Sequence, residues 1–286
     1  MISTNSCCAQ LPLLEKTGMQ YLKFLFFCFA FCSHQAWAND FDEGLKAYKK
    51  QDYLAAFKSF KSSASKGDPK GQVNLGLLYE KGLGTTQDTA EAVRWYKSAA
   101  ELGSAIAQYN LGNMYTKGQG VAQDYATAAQ WYRLAALQGK VEAQYNLGNR
   151  YSTGKGVLQD YVEAARWYTL AANQGFAPAQ FNLGNMYRTG QGTKQSYLQA
   201  ASFYKLAASS GMPEAQNSLS VLYLTEKSHK WDLLKAHMWS NLSAAGGYAA
   251  AVENRDIIAA KLSPQQLEKA QKLASECQVR NFKNCD

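Results

Sequence analysis

The sequence predicts an all-α solenoid, in which stacked helices bury their apolar faces against neighbouring copies of themselves. Three observations predict it. The chain repeats every 36 residues, five times in succession, in blocks beginning at Gly71, Ala107, Ala143, Ala179 and Ala215. Down that register run columns of one residue type: Leu75, Leu111, Leu147, Leu183 and Leu219, then Tyr79, Tyr115, Tyr151, Tyr187 and Tyr223. Leucine and tyrosine four apart share one helical face, and a glycine-rich break separates that stretch from a second helical one. A period of roughly 20–50 residues marks a solenoid, whose units cannot bury their apolar faces alone.

Taken in order, the chain opens with an export signal. Lys23 precedes the apolar run from Phe24 to Cys32, and Ala36-Trp37-Ala38 offers a small-residue cleavage site. The run is shorter than the about 20 apolar residues that a bilayer span requires. Residues 1–38 are therefore expected to be removed, with Met19 as an alternative start, and no membrane span is expected. Residues 39–70 read as a shortened N-terminal pair: Asp52, Ala56, Ala64 and Gly67 keep the register, but Tyr48 leaves no room for a glycine loop before Asp52.

Residues 71–250 hold the five repeats. In each, a first helix carries Leu and Tyr, with glycine between them at Gly76, Gly112, Gly148 and Gly184. Glycine costs about 1 kcal/mol inside a helix relative to alanine, and close approach of a neighbouring backbone is the expected reason for it. Pairs such as Gly118 and Gly120 stop the first helix and reverse the chain. No strand precedes these loops and no Gly-Lys-Ser/Thr follows, so they do not read as phosphate cradles. The second helix starts at a cap, Asp88, Asp124, Asp160 or Ser196, with Glu91, Glu163 and Gln199 three residues on as capping-box partners. Trp95, Trp131, Trp167, Phe203 and Trp239 then face small alanines as the expected aromatic core.

Residues 251–286 close the stack. The fifth repeat has Glu226 and Ser228 where the others have turn glycines; Ser263-Pro264 then starts a last helix with Leu267, Ala270, Leu273, Ala274 and Cys277 on one face. Once residues 1–38 are gone, Cys277 and Cys285 are the remaining cysteines, an even pair in an oxidising compartment, and are expected to form a disulfide.

Composition narrows the function. The net charge of +8 (30 − 22) becomes +7 (28 − 21) on loss of Lys16, Lys23 and Glu15, a mildly basic balance with Lys and Arg scattered among acids. His229 and His237 lie far from any ligand cluster, so no metal or cofactor is expected. Export and the lack of a nucleic-acid motif exclude that partner class. Ser63-Ala64-Ser65-Lys66 has the spacing of a serine–lysine nucleophile pair, but Ser63 occupies a column of small packed residues and no partner motif accompanies it. The chain is expected not to be an enzyme, with β-lactam binding or hydrolysis as the alternative.

Ala107-Gln108-Tyr109-Asn110-Leu111-Gly112-Asn113-Met114-Tyr115, the Gly-x-Gly-Val-x-Gln-Asp-Tyr turn and the Ala-x-x-Trp-Tyr-x-x-Ala-Ala-x-x-Gly second helix resemble the Sel-one-like repeat (SLR) family, relatives of the tetratricopeptide repeats. The likeness covers residues 71–250, and the ending around Lys235–Trp239 and Ser263-Pro264 is similar to that of bacterial members. It implies a right-handed superhelix of antiparallel pairs, about seven including the end units, with the first helices lining a concave face. It also implies a non-enzymatic adaptor for a peptide or protein, or for an envelope polymer, in the periplasm or outside the cell, where a host-interaction role is the second alternative. The repeats lack the cysteine pairs of the family's cysteine-rich secreted branch.

In that arrangement the face between the Leu and Tyr columns points into the groove. It carries an aromatic row, Tyr109, Tyr145 and Phe181, beside an asparagine row, Asn113, Asn149 and Asn185, with Lys81, Lys117 and Arg188 one turn on. Asparagine both donates and accepts, which suits an extended peptide backbone. Tyr109, Asn113, Lys117, Tyr145, Asn149, Phe181, Asn185 and Arg188 are the expected partner-binding residues, since packing does not require the outer asparagines. A second row, Asn74, Asn110, Asn146 and Asn182, either joins them or satisfies backbone groups between repeats.

Overall fold

The computed structural model describes residues 39–224 and 232–285. The export signal at 1–38, and Glu226, Ser228 and His229, lie outside the described residues. Fourteen helices and no strands are present among those described: α1 (39–49), α2 (Tyr53–Ser65), α3 (Pro69–Lys81), α4 (Thr89–Glu101), α5 (Ala105–Lys117), α6 (Tyr125–Leu137), α7 (Val141–Thr153), α8 (Tyr161–Asn173), α9 (Ala177–Thr189), α10 (Tyr197–Ala208), α11 (Pro213–Tyr223), α12 (Leu233–Ala245), α13 (Ala249–Ala259) and α14 (Pro264–Val279). They form two compact units, one ending at Trp95 and one starting at Tyr96, within α4. In the first, α2 packs on α3; in the second, α5 to α12 each pack on the next helix in the chain, and α14 packs on α12. This nearest-neighbour packing is the α-solenoid that the 36-residue period predicts.

Local chemistry sets the boundaries. Each first helix of the first four repeats ends on a left-handed glycine, Gly82, Gly118, Gly154 or Gly190, whose N–H bonds back to the carbonyl of Leu78, Met114, Arg150 or Met186. The second turn glycine has a steric cause as well. A Cβ on Gly156 or Gly192 would lie 2.1 Å from the carbonyl oxygen of Tyr125 or Tyr161, because the loop presses on the start of the preceding second helix. A glutamine then seals the loop: Gln123, Gln159 and Gln195 donate Nε2 to the carbonyls of Thr116, Ser152 and Arg188 at 2.8–2.9 Å. Asp124, Asp160 and Ser196 cap the second helices as expected. The reciprocal half of the box differs, because Glu91 and Glu163 pair with Arg94 and Arg166 instead; the full box forms at Ser263 with Gln266.

The core departs from the sequence reading in two linked ways. Trp131, Trp167 and Phe203 are half-buried, while the tyrosine after each, Tyr132, Tyr168 or Tyr204, is buried at 3% exposure or less. The helix glycines answer to these rings and not to a neighbouring backbone. A Cβ on Gly112, Gly148 or Gly184 would lie 2.5–2.7 Å from the ring carbons of Tyr132, Tyr168 or Tyr204. In the fifth repeat both columns change together, to Ser220 and Ser240, because without the ring the glycine has no purpose.

The columns between repeats are joined by glutamine. Gln72, Gln108, Gln144, Gln180 and Gln216 are buried, and each donates Nε2 to the carbonyl eight residues earlier, at 3.1–3.5 Å. At the C-terminal end Cys277 and Cys285 are brought together with Cα atoms 5.1 Å apart. The turn between them folds Phe282 over Gly211 and against the core of the last repeats.

Candidate functional site

The expected groove residues fall on the first helices α5, α7 and α9 of the second unit, and the structure gives each asparagine a defined partner. Tyr132 Oη donates to Asn113 Oδ1 at 2.8 Å, Tyr168 to Asn149 Oδ1 at 2.6 Å, and Tyr204 to Asn185 Oδ1 at 2.6 Å. Packing does use the outer asparagines, contrary to expectation: their carbonyl oxygens satisfy buried phenols that would otherwise lose a hydrogen bond. Burial pushes all three phenols above the usual range, so they stay protonated and keep donating at neutral pH.

A permanent donor fixes the direction of these chains at two of the three positions. Arg188 Nε donates to Tyr204 Oη at 3.2 Å, so that hydroxyl accepts from arginine and gives its own proton to Asn185. Arg150 Nη2 donates to Thr116 Oγ1 at 2.9 Å, and Thr116 lies 3.1 Å from Tyr132 Oη, which donates to Asn113. Around Tyr168 the neighbour is Ser152 at 3.3 Å, and Asn182 adds a second donor to Asn149 Oδ1 at 3.4 Å. In every case the asparagine oxygen is taken by the buried tyrosine, which leaves the Nδ2 of these half-buried residues as the group on offer.

The aromatic row lies beside this edge. Tyr109, Tyr145 and Phe181 are half-buried, each tilted against the core tyrosine of its own repeat with ring centroids 5.8–6.1 Å apart. Tyr145 also meets Phe176 edge-on at 5.2 Å. Each ring thus leans on the core while its residue stays partly exposed, and Lys140 stands 5.5 Å over the Tyr109 ring. Lys117 and Arg188 are exposed one turn on, and only Arg188 is drawn into the network. The inner row splits: Asn74 donates to its own helix at the Lys70 carbonyl, whereas Asn182 reaches the outer row. Backbone satisfaction between repeats belongs to the glutamine column.

Sequence reasoning missed Tyr132, Tyr168 and Tyr204, Thr116, and Arg150. The signal was present in the Trp-Tyr and Phe-Tyr dipeptides, whose second member is the constant one through Tyr204. It was also present in the columns that change together, since the fifth repeat has Val221 for asparagine where it has Ser240 for tyrosine. Arg150 stands where other repeats have Leu78, Met114, Met186 and Leu222. Its guanidinium lies over the Tyr125 ring at 4.9 Å, and its Nε is buried without a hydrogen-bond partner.

The serine–lysine pair is arranged otherwise. Ser63 is fully buried and donates to Asp68 Oδ2 at 2.6 Å, while Lys66 pairs with Asp40, holding that carboxyl below its usual range together with Ser62. Among the described residues no helix is long and apolar enough to cross a membrane, and no group of three or more His, Cys, Asp or Glu could hold a metal ion.

A family profile described as the Sel1 repeat matches residues 69–104, 105–140, 141–176, 177–212 and 213–248. Among solved structures the chain is similar to c5321, a protective antigen present in uropathogenic Escherichia coli strains and displaying an SLR fold. The identity is 30% and the TM-score 0.78, over 87% of this chain but 56% of that one, so this chain spans just over half its length. It is also similar to a Sel1 repeat protein from Oxalobacter formigenes, at 32% identity and TM-score 0.72, over 82% of this chain and 98% of that one. A comparison with curated proteins finds no match.

Proposed function

Because the chain belongs to the Sel1 repeat family, whose members typically serve protein–protein interaction, we propose that it is an exported, non-enzymatic scaffold that binds a peptide or protein partner on the α5–α7–α9 face. One observation carries the reading: three consecutive repeats present the same asparagine, with its oxygen held from behind and its amide on offer, beside a half-buried aromatic ring. An extended peptide supplies carbonyls at regular intervals for such amides and side chains for the rings. Tyr109, Tyr145 and Phe181 grip, Asn113, Asn149 and Asn185 donate, and Lys117 and Arg188 flank them.

Export rests on the Lys23 and Phe24–Cys32 signal and on the cysteine pair. Cys277 and Cys285 are positioned to bond, and an oxidising compartment such as the periplasm makes that bond permanent. A host-facing address is the second reading, supported by the likeness to the uropathogenic antigen. Recovery of the protein solely from periplasmic extract would exclude it.

Crosslinking in the living cell, with identification of the captured protein, tests the binding face when the triple variant Asn113→Asp, Asn149→Asp and Asn185→Asp is compared alongside. Aspartate keeps an oxygen for each tyrosine hydroxyl but removes the amide donor, so the fold is retained while capture is expected to be lost. Capture that persists in a variant of unchanged melting temperature moves the site elsewhere.

A further inference from the structure

The α5–α7–α9 face is chemically one-sided. Its three asparagines turn their oxygens inward, and two of the three hydrogen-bond chains behind them start from a guanidinium, which can only donate. Arg150 replaces a core methionine or leucine to stand there, with an Nε that is buried and unpartnered. The guanidinium lies over the Tyr125 and Tyr132 rings at 4.9 and 5.8 Å, which fixes a permanent positive charge behind the asparagine row. The surrounding segments agree. Residues 109–123, 145–159 and 181–195 run from the aromatic row through the turn and hold five cations, Lys117, Arg150, Lys155, Arg188 and Lys194, and no Asp or Glu. Lys140 adds no net charge, for although it stands 5.5 Å over the Tyr109 ring it is paired with Glu142.

We propose that this face selects an acidic extended peptide: amide and guanidinium donors meet backbone carbonyls and side-chain carboxylates, and the aromatic row holds intervening apolar side chains. The inference rests on the binding face assigned above and adds the ligand's charge to it. A basic peptide would instead set its own cations against Lys117, Arg150 and Arg188.

The test is selection of a random twelve-residue peptide display pool on the purified full chain, with two variants for comparison. One is Arg150→Met with Arg188→Thr, each the residue that another repeat carries in that column; the other is the triple asparagine-to-aspartate variant. The expected pool is rich in Asp and Glu, binds more weakly as salt rises, and loses about a hundredfold in affinity in the double arginine variant, about tenfold per guanidinium. A pool of neutral or basic peptides that still depends on Asn113, Asn149 and Asn185 overturns the acidic ligand and leaves the face in place. Peptides indifferent to the asparagine variant, or no enrichment at all, overturn the face itself. Binding of inorganic polyphosphate here with no acidic peptide selected overturns the peptide occupant.

Discussion

In repeats two and three the buried glutamine of the first helix is closed by a second glutamine at the end of the second: Gln138 Nε2 donates to Gln108 Oε1 at 2.8 Å, and Gln174 to Gln144 at 2.8 Å. Repeat four has Ser210 in that place, and Gln180 Oε1 is buried with no donor. An unsatisfied buried acceptor costs about 1–3 kcal/mol, while Ser210 itself is exposed and free to change. Ser210→Gln is therefore expected to stabilise the protein by about 1 kcal/mol, read as a rise of roughly 2–4 °C in melting temperature. An unchanged or lowered value would show that the glutamine pair is not the source of stability. His237 gives the opposite kind of liability. It is buried on α12 with Nδ1 unpartnered; burial pushes its imidazole below the usual range, Arg255 adds to this, and Asp256 partly opposes it. The unfolded chain then binds a proton that the folded one refuses. Stability is full above the unfolded value of about 6.5 and is lost as pH falls below it, by about 1.4 kcal/mol per unit of lowering. His237→Gln is expected to flatten that acid limb in urea titrations taken between neutral pH and about pH 5.

Helices, caps and turns were legible because each depends on residues within a few positions of one another. Asp124 accepts from the backbone N–H groups of Ala126 and Thr127, two and three positions on, and Gly118 stops the helix it follows, so spacing alone exposed them. The pairing of Gly112 with Tyr132, and of Asn113 with the same tyrosine, joins residues 19 or 20 apart on different helices, and periodicity cannot say which column meets which. The C-terminal clip shows the same division. The sequence named Cys277 and Cys285, but not that the turn between them places Asn281, Phe282 and Asn284 at positive φ. Left-handed backbone costs about 1–2 kcal/mol per ordinary residue, and Phe282 has no glycine-like tolerance for it. The bond therefore holds a turn that the chain would abandon, and the turn holds Phe282 over Gly211. Cys285→Ser is expected to destabilise the C-terminal helices by about 2 kcal/mol. Hydrogen exchange should then quicken in 277–285 and α14, whereas equal protection in both proteins would make the clip ornamental.

Within the second unit, the consequence of helices that pack on near neighbours in the chain is that damage stays where it is made. A protein with one shared core loses protection everywhere when that core is breached; a repeat stack adds local stabilities and nearest-neighbour terms. Gly148→Ala probes the difference. Alanine is favoured over glycine in a helix by about 0.5–1 kcal/mol, but its Cβ would lie 2.7 Å from the Tyr168 ring, and overpacking of this kind costs about 1–3 kcal/mol. The steric effect wins, because the Tyr168 hydroxyl is tied to Asn149 and Ser152 of the same helix α7, so the ring cannot retreat from Gly148 without straining those hydrogen bonds. A net loss of about 1–2 kcal/mol is expected. Native-state hydrogen exchange should place it in α7, α8 and the α9 face they support, with α12 to α14 keeping their protection. The same substitution should weaken ligand capture more than its cost in stability explains, since it displaces the tyrosine that orients Asn149. Uniform loss of protection from α5 to α14 would show instead that the second unit unfolds as one body.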